Sequence, residues 1–173
     1  MRWVLVVGGG LVILLGGVAI IGLLLPKGHV ASRTVRLRQP PEAVWKAITD
    51  YEAFPSWRAD VKRVERLPDR NGHPVWREID KRGHALPLEM VEATAPRRLV
   101  LRIADPKLPF GGVWTYEIAP ADGGSAITIT ESGEIYNPVF RFLARFVFGY
   151  HATMDQYLKS LGKKFGEDVR IGG

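Results

Sequence analysis

Residues 114–165 read WTYEIAPADGGSAITITESGEIYNPVFRFLARFVFGYHATMDQYLKSLGKKF, and the hydrophobic period changes once within them. Trp114, Tyr116 and Ile118 alternate with other residues, as do Ile127 and Ile129 after the turn Asp122-Gly123-Gly124-Ser125. Period two puts each set on one face of a strand. Asn137-Pro138 ends the strands. From Val139 to Phe165 the apolar residues Leu143, Phe146, Tyr150, Met154, Tyr157, Leu158, Leu161 and Phe165 keep helical spacing, and Arg141, Arg145, Lys159 and Lys163 fall mostly off that stripe. A sheet with one apolar face needs a cover, and one long helix over residues 139–165 is the segment large enough to provide it.

Upstream the same alternation recurs. Leu86, Leu88 and Met90 share one face, as do Leu99, Leu101 and Ile103. Val61, Val64 and Leu67 mark an earlier strand, and Val75 to Lys81 another, with a turn at Pro68 to Gly72 between them. Ser32 to Arg38 opens the series, with Val35 and Leu37 on one face. Between this strand and the next, Pro40-Pro41-Glu42 starts a helix carrying Val44, Ala47, Ile48 and Tyr51. Ala53 to Trp57 forms a second short helical or turn segment. The pattern predicts an α+β domain: an antiparallel meander followed by a long helix.

The 173 residues contain 24 Lys plus Arg, 18 Asp plus Glu and no cysteine, for a net charge of +6. This composition excludes disorder, a disulfide scaffold, thiol catalysis and Cys-ligated metal. Trp3 to Leu25 carry no charge. As a helix this run spans about 34 Å, enough for a bilayer core of about 30 Å. It exceeds the apolar core of a cleavable signal peptide, about 7–15 residues, so residues 1–27 read as a single-pass membrane anchor. The remaining residues hold 22 basic and 18 acidic side chains, a net +4. Lys27, Arg33, Arg36 and Arg38 follow the anchor and Arg2 precedes it, which places the domain on the cytoplasmic side by the positive-inside rule. Gly9, Gly10, Gly16 and Gly17 give the anchor a small-residue face suited to a weak homodimer.

The order of elements, with Pro41-Glu42-Ala43-Val44-Trp45, Phe54-Pro55-Ser56-Trp57, Pro96-Arg97-Arg98-Leu99 and the 122–125 turn, resembles the START-like (SRPBCC) superfamily. More narrowly it resembles the polyketide cyclase/dehydrase and lipid-transport family. The resemblance covers residues 32–166, leaving 28–31 as a linker and 167–173 as a tail. It implies a helix-grip fold, in which the sheet wraps around the C-terminal helix and encloses a cavity. It also implies a hydrophobic small molecule or lipid as ligand. The superfamily hosts carriers, cyclases, sensors and chaperone cofactors, so fold alone does not choose among a carrier, a cyclase/aromatase-like enzyme and a regulatory partner.

The inward phases nominate Leu88, Met90, Leu101, Trp114, Tyr116, Ile129, Phe146, Tyr150 and Met154 as ligand-binding residues. Trp57, Leu108 and Phe110 are candidate gate residues, with Gly111-Gly112 as a hinge. Glu131 shares the phase of Ile127 and Ile129, and Arg77 lies between Val75 and Ile79. A carboxylate buried alone in an apolar cavity gains acid/base character, whereas one paired with Arg77 stays ionised, so Glu131 and Arg77 are the catalytic candidates. His151 and Asp155 are one helical turn apart, but no motif places a third ligand, and no metal or other cofactor is expected. His29, His73 and His84 fall in linkers or turns. There is no catalytic signature motif, and the basic residues at 58–66 are interleaved with Asp60 and Glu65, which argues against nucleic acid as a partner.

Overall fold

The computed structural model describes residues 15–172. Most of the expected anchor, and with it Gly9 and Gly10 of the small-residue face, lies outside the described residues. Residues 15–24 are helical (α1), and Leu15, Ile20, Ile21, Leu23 and Leu24 are exposed. Among the described residues no helix is long and apolar enough to cross a membrane.

Seven strands follow: β1 (Gly28–Leu37), β2 (Val61–Arg70), β3 (His73–Asp80), β4 (Ala85–Thr94), β5 (Arg98–Ile103), β6 (Phe110–Ala121) and β7 (Gly124–Ile135). They form one antiparallel sheet in the order β1-β7-β6-β5-β4-β3-β2. The first two strands are therefore neighbours in sequence and opposite edges in space. Helix α2 (Pro41–Thr49) and the single turn α3 (Phe54–Trp57) make the crossing between them. Proline in the first turn starts each helix, since its missing N–H is one that no helix bond would use. The register of β1 on β7 shifts nowhere over ten residue pairs, whereas β2 on β3 has irregularities between Val61 and Arg63 and between Leu67 and Arg70.

The core lies between the concave face of the sheet and the helices. Val35, Leu37, Leu99, Ile118, Ile127 and Ile129 supply the sheet side, and Val44 and Ile48 supply α2. Helix α5 (Ala152–Lys164) presents Met154, Leu158 and Leu161, each fully buried. The chain is thus an α+β fold with a curved seven-stranded antiparallel sheet and a C-terminal helix, consistent with a helix grip.

The expected single helix over residues 139–165 is broken. Helix α4 (Pro138–Leu143) runs into one turn of π-helix (Ala144–Phe148), and the chain then turns at Gly149 before α5 begins. Gly149 has a φ of 72°, which a residue with a side chain adopts only with strain. The apolar residues on the two sides of the break differ in burial: Met154, Leu158 and Leu161 of α5 are enclosed, whereas Phe140, Phe146 and Phe148 before it are exposed. Two further boundaries differ from the sequence reading. Strand β1 begins at Gly28, so residues 28–31 are strand and not linker. Strand β6 begins at Phe110, so Gly111 and Gly112 are sheet residues and not a loop hinge; a Cβ on Gly112 would sit 2.5 Å from the Ser132 carbonyl oxygen. The segment after α5 returns along β1. The Glu167 carboxylate accepts from the Arg38 backbone N–H, and Thr34 and Gly172 exchange backbone hydrogen bonds of 2.9 Å each.

Candidate functional site

Where the helical layer is broken, the sheet's concave face is left partly uncovered. The result is a cavity of about 610 Å³ bounded by β1, β3 to β7, α4, the π turn and the start of α5. This lies within the size range of small-molecule sites. Leu86, Leu88, Leu101 and Ile103 form its apolar wall, and Phe110, Phe140, Leu143 and Phe148 surround its mouth. Phe110, Phe140 and Phe148 are exposed, as are the neighbouring Phe146 and Val147, so the mouth opens inside an apolar surface patch. Helix α1 runs beside this patch: the Arg141 guanidinium donates to the Leu25 carbonyl, and a Cβ on Gly22 would overlap the Pro138 backbone.

The floor is polar and closed. Arg58 donates to Glu78 and to Asp60, each at 2.7 Å, and its guanidinium lies 5.0 Å from the ring centre of Tyr157. Arg58 and Glu78 are both buried. Burial raises the Glu78 carboxyl above the usual carboxylate range, against the pull of Arg58, while the two acids hold Arg58 charged. The Tyr157 ring makes edge contacts with Trp57, Trp114 and Tyr116. Burial lifts both tyrosines well above their ordinary value, so they meet a ligand as neutral phenols.

A second polar group stands on the wall. His29 on β1 and Glu131 on β7 project side by side, with Nε2 3.4 Å from Oε1. The imidazole stacks on Tyr150, ring centres 4.1 Å apart. Trp114, on β6, lies directly opposite Glu131 in the β6–β7 register. Burial raises the Glu131 carboxyl, while His29, Trp114 and His151 pull it back down. His29 Nδ1 is buried with no hydrogen-bond partner among the described residues.

Seven of the residues expected from sequence line this cavity: Leu88, Leu101, Trp114, Tyr116, Tyr150, the gate candidate Phe110 and the catalytic candidate Glu131. Ile129 and Met154 point the expected way but are sealed in the core, and Met90 packs against it. Phe146 faces outward beside the mouth. Trp57 packs edge-on to Phe54 and Tyr157, so it supports the floor, and Leu108 does not reach the cavity. Glu131 lines the wall, but no pair with Arg77 forms. Arg77 is hydrogen-bonded through Nε and Nη2 to Glu65 on the outer face, at 2.8 Å for Nε. Asp155 likewise pairs with Arg33, at 2.9 Å, and not with His151. Among the described residues no group of three or more His, Asp or Glu is placed to hold a metal ion.

His29, Arg58 and Glu78 are the site residues that sequence reasoning missed. The signal for His29 was its phase: it lies two and six residues before the inward-facing Ala31 and Val35. For Arg58 and Glu78 the pairing joins residues from a turn and a strand twenty positions apart, and no spacing rule announces it.

Residues 29–166 match the family described as polyketide cyclase / dehydrase and lipid transport. No curated protein sequence matches significantly. Among solved structures, a START superfamily protein from Mycobacterium smegmatis is similar at 18% identity, covering 79% of this chain and 96% of that one, with a TM-score of 0.63. Norcoclaurine synthase from Thalictrum flavum is similar at 9% identity over 86% and 91% of the two chains, with a TM-score of 0.64. The di-domain ARO/CYC StfQ from the steffimycin biosynthetic pathway is similar at 13% identity, covering 80% of this chain and 52% of that one, with a TM-score of 0.62. At these identities the likeness is one of fold.

Proposed function

The chain belongs to the polyketide cyclase / dehydrase and lipid transport family, and from that premise we propose that it binds a hydrophobic small molecule or lipid in the cavity between sheet and helices. The observation that carries this reading is the cavity itself: about 610 Å³, apolar-walled, and opening between aromatic side chains where the helical layer breaks at Gly149. A fold that only needed a core would close that gap, because interiors pack to near-crystalline density.

The experiment is native mass spectrometry of the full chain purified gently from membranes. A stoichiometric apolar adduct is expected. Leu88 lies on the cavity wall and is only partly buried, so Leu88→Trp should fill the space and lower occupancy at least about fivefold without unfolding the domain. An empty wild-type protein, or equal occupancy in the variant, would sink the reading.

We further propose that residues 3–25 anchor the chain in the cell membrane, with the domain on the cytoplasmic side. The exposed apolar residues of α1 and the aromatic patch beside it support this, since contiguous apolar surface of this kind marks a membrane or partner contact. A carrier tethered this way keeps its mouth near a reservoir of apolar ligands. The full chain should stay in the membrane fraction through an alkaline carbonate wash; release into the supernatant would refute the anchor.

A second reading, a cyclase/aromatase-like enzyme, is favoured by one observation: burial raises the Glu131 carboxyl on the cavity wall, as a general acid or base requires. In that case Glu131→Gln abolishes turnover of a bound substrate.

A further inference from the structure

The charges lining the cavity determine what kind of ligand it accepts. Among the described lining residues Arg58 is the one arginine or lysine, and both Glu78 and Asp60 already hydrogen-bond it. No arginine or lysine remains for an anionic head group, and the His29 imidazole already faces Glu131. Glu131 on the wall and Glu134 at the mouth are carboxylates, so a fatty-acid carboxylate or a phosphate would be buried beside like charge and without a counter-ion. What the wall does offer is an acceptor. The Glu131 carboxylate stands in the cavity with His29 on one side, Nε2 3.4 Å from Oε1, and Trp114 opposite it on β6.

That acceptor is a built feature. Gly133 lies next to it on β7, and a Cβ there would sit 2.6 Å from His29 Nε2 and 3.0 Å from Glu131 Oε1. Any larger residue would push the pair apart, and stacking on Tyr150 fixes the imidazole from its other face. From this geometry we infer that the cavity selects an uncharged apolar molecule bearing a hydroxyl group, whose O–H donates to the Glu131 carboxylate, and rejects molecules that end in a carboxylate or phosphate. An ammonium group fits less well than a hydroxyl. It brings a full charge and three donors that must each be satisfied, and burying a charge costs far more than burying a hydroxyl; besides Glu131 the lining offers Glu78, which Arg58 occupies, the exposed Glu134, and the hydroxyls of Thr153 and the tyrosines. A hydroxyl needs only one.

The inference rests on the proposed binding of an apolar ligand in this cavity, and the test separates the two. Full chain in a nonionic detergent is dialysed to equilibrium against naphthalene, naphthol or naphthoate at neutral pH, with a detergent-only cell subtracting micellar uptake. Wild type should bind naphthol about tenfold more tightly than naphthalene, the gain expected of a hydrogen bond to a charged acceptor, and naphthoate at least about tenfold more weakly than naphthol. In Glu131→Met, which keeps the volume and removes the acceptor, naphthalene should bind as before while the advantage of naphthol falls to about twofold or less. Unchanged naphthalene binding shows that the cavity is intact, which a merely structural loss would not allow. Equal binding of naphthol and naphthoate to wild type overturns the inference, as does a variant that keeps the preference. Naphthalene and naphthol both failing to bind wild type would instead overturn the apolar-ligand reading on which the inference stands.

Discussion

Arg58→Ala is expected to cost about 3–5 kcal/mol of folding stability, because it strands Glu78 in the floor of the cavity. The two side chains are about equally buried and meet at 2.7 Å, and Asp60 holds the other end of the guanidinium. Without Arg58 the Glu78 carboxylate keeps its desolvation penalty and loses its counter-charge. The sign of the pH dependence follows. Burial already raises the folded-state affinity of Glu78 for a proton above the unfolded value. A group shifted upward in this way destabilises the folded state when ionised, and that cost is relieved as pH falls through its folded pKa. Loss of Arg58 raises the folded pKa of Glu78 further, so the penalty in the variant is largest at neutral pH and shrinks on acidification. Urea unfolding at neutral and mildly acidic pH measures both. A double variant, Arg58→Met with Glu78→Leu, should recover most of the loss, since an apolar pair of similar volume avoids the desolvation cost altogether. A penalty below about 1 kcal/mol at neutral pH would show that the pair is solvated and that the floor is open to water.

Leu158→Ala comes next in size, at about 2–5 kcal/mol. Leu158 is fully buried on α5, with Met154 and Leu161 a turn away on either side and equally enclosed. Its removal leaves a void beneath the sheet that rigid strands cannot close. The midpoint of denaturation should fall with an unchanged slope, the mark of lost packing without a change in the unfolded state. Tyr157 is the residue before it and forms part of the cavity floor, so the same variant also tests whether the position of α5 sets ligand affinity. A loss below about 1 kcal/mol would mean that α5 is not clamped by its core face.

These two sites also show how much the sequence could tell. Leu158 was legible: its place in the stripe with Met154, Leu161 and Phe165 assigns it to the covered face, and the same reasoning places the strands and their inward residues. Period two and period 3.6 report burial well because burial repeats along an element. Arg58 was not legible, since its partners Asp60 and Glu78 sit on separate segments and meet only once β2 and β3 pair with α3 alongside. The break at Gly149 escaped for a related reason. Apolar spacing reports which residues avoid water within a regular helix and says nothing about where that helix stops: Met154, Leu158 and Leu161 are sealed against the sheet, Leu143 lines the cavity, and Phe146 in the same stripe is exposed beside the mouth. Glu131 was placed on the correct face by phase, but alternation within one strand carries no information about its partner on another. That partner proved to be His29, not Arg77.

The strand order has a consequence for how the domain behaves among copies of itself. A seven-stranded sheet that does not close on itself leaves two free rows of backbone donors and acceptors, each able to recruit a strand from a neighbouring molecule. At the β1 side Gly172 returns to bridge Thr34, which occupies part of that row. At the β2 side the strand carries Lys62, Arg63, Glu65, Arg66 and Asp69, most of them exposed, includes Pro68, and is kinked by two register irregularities. An incoming strand would meet a charged, bent ribbon that cannot pair along its length. Edge-to-edge aggregation is thereby discouraged at both ends of the sheet, which matters for a protein whose aromatic patch would otherwise draw copies together.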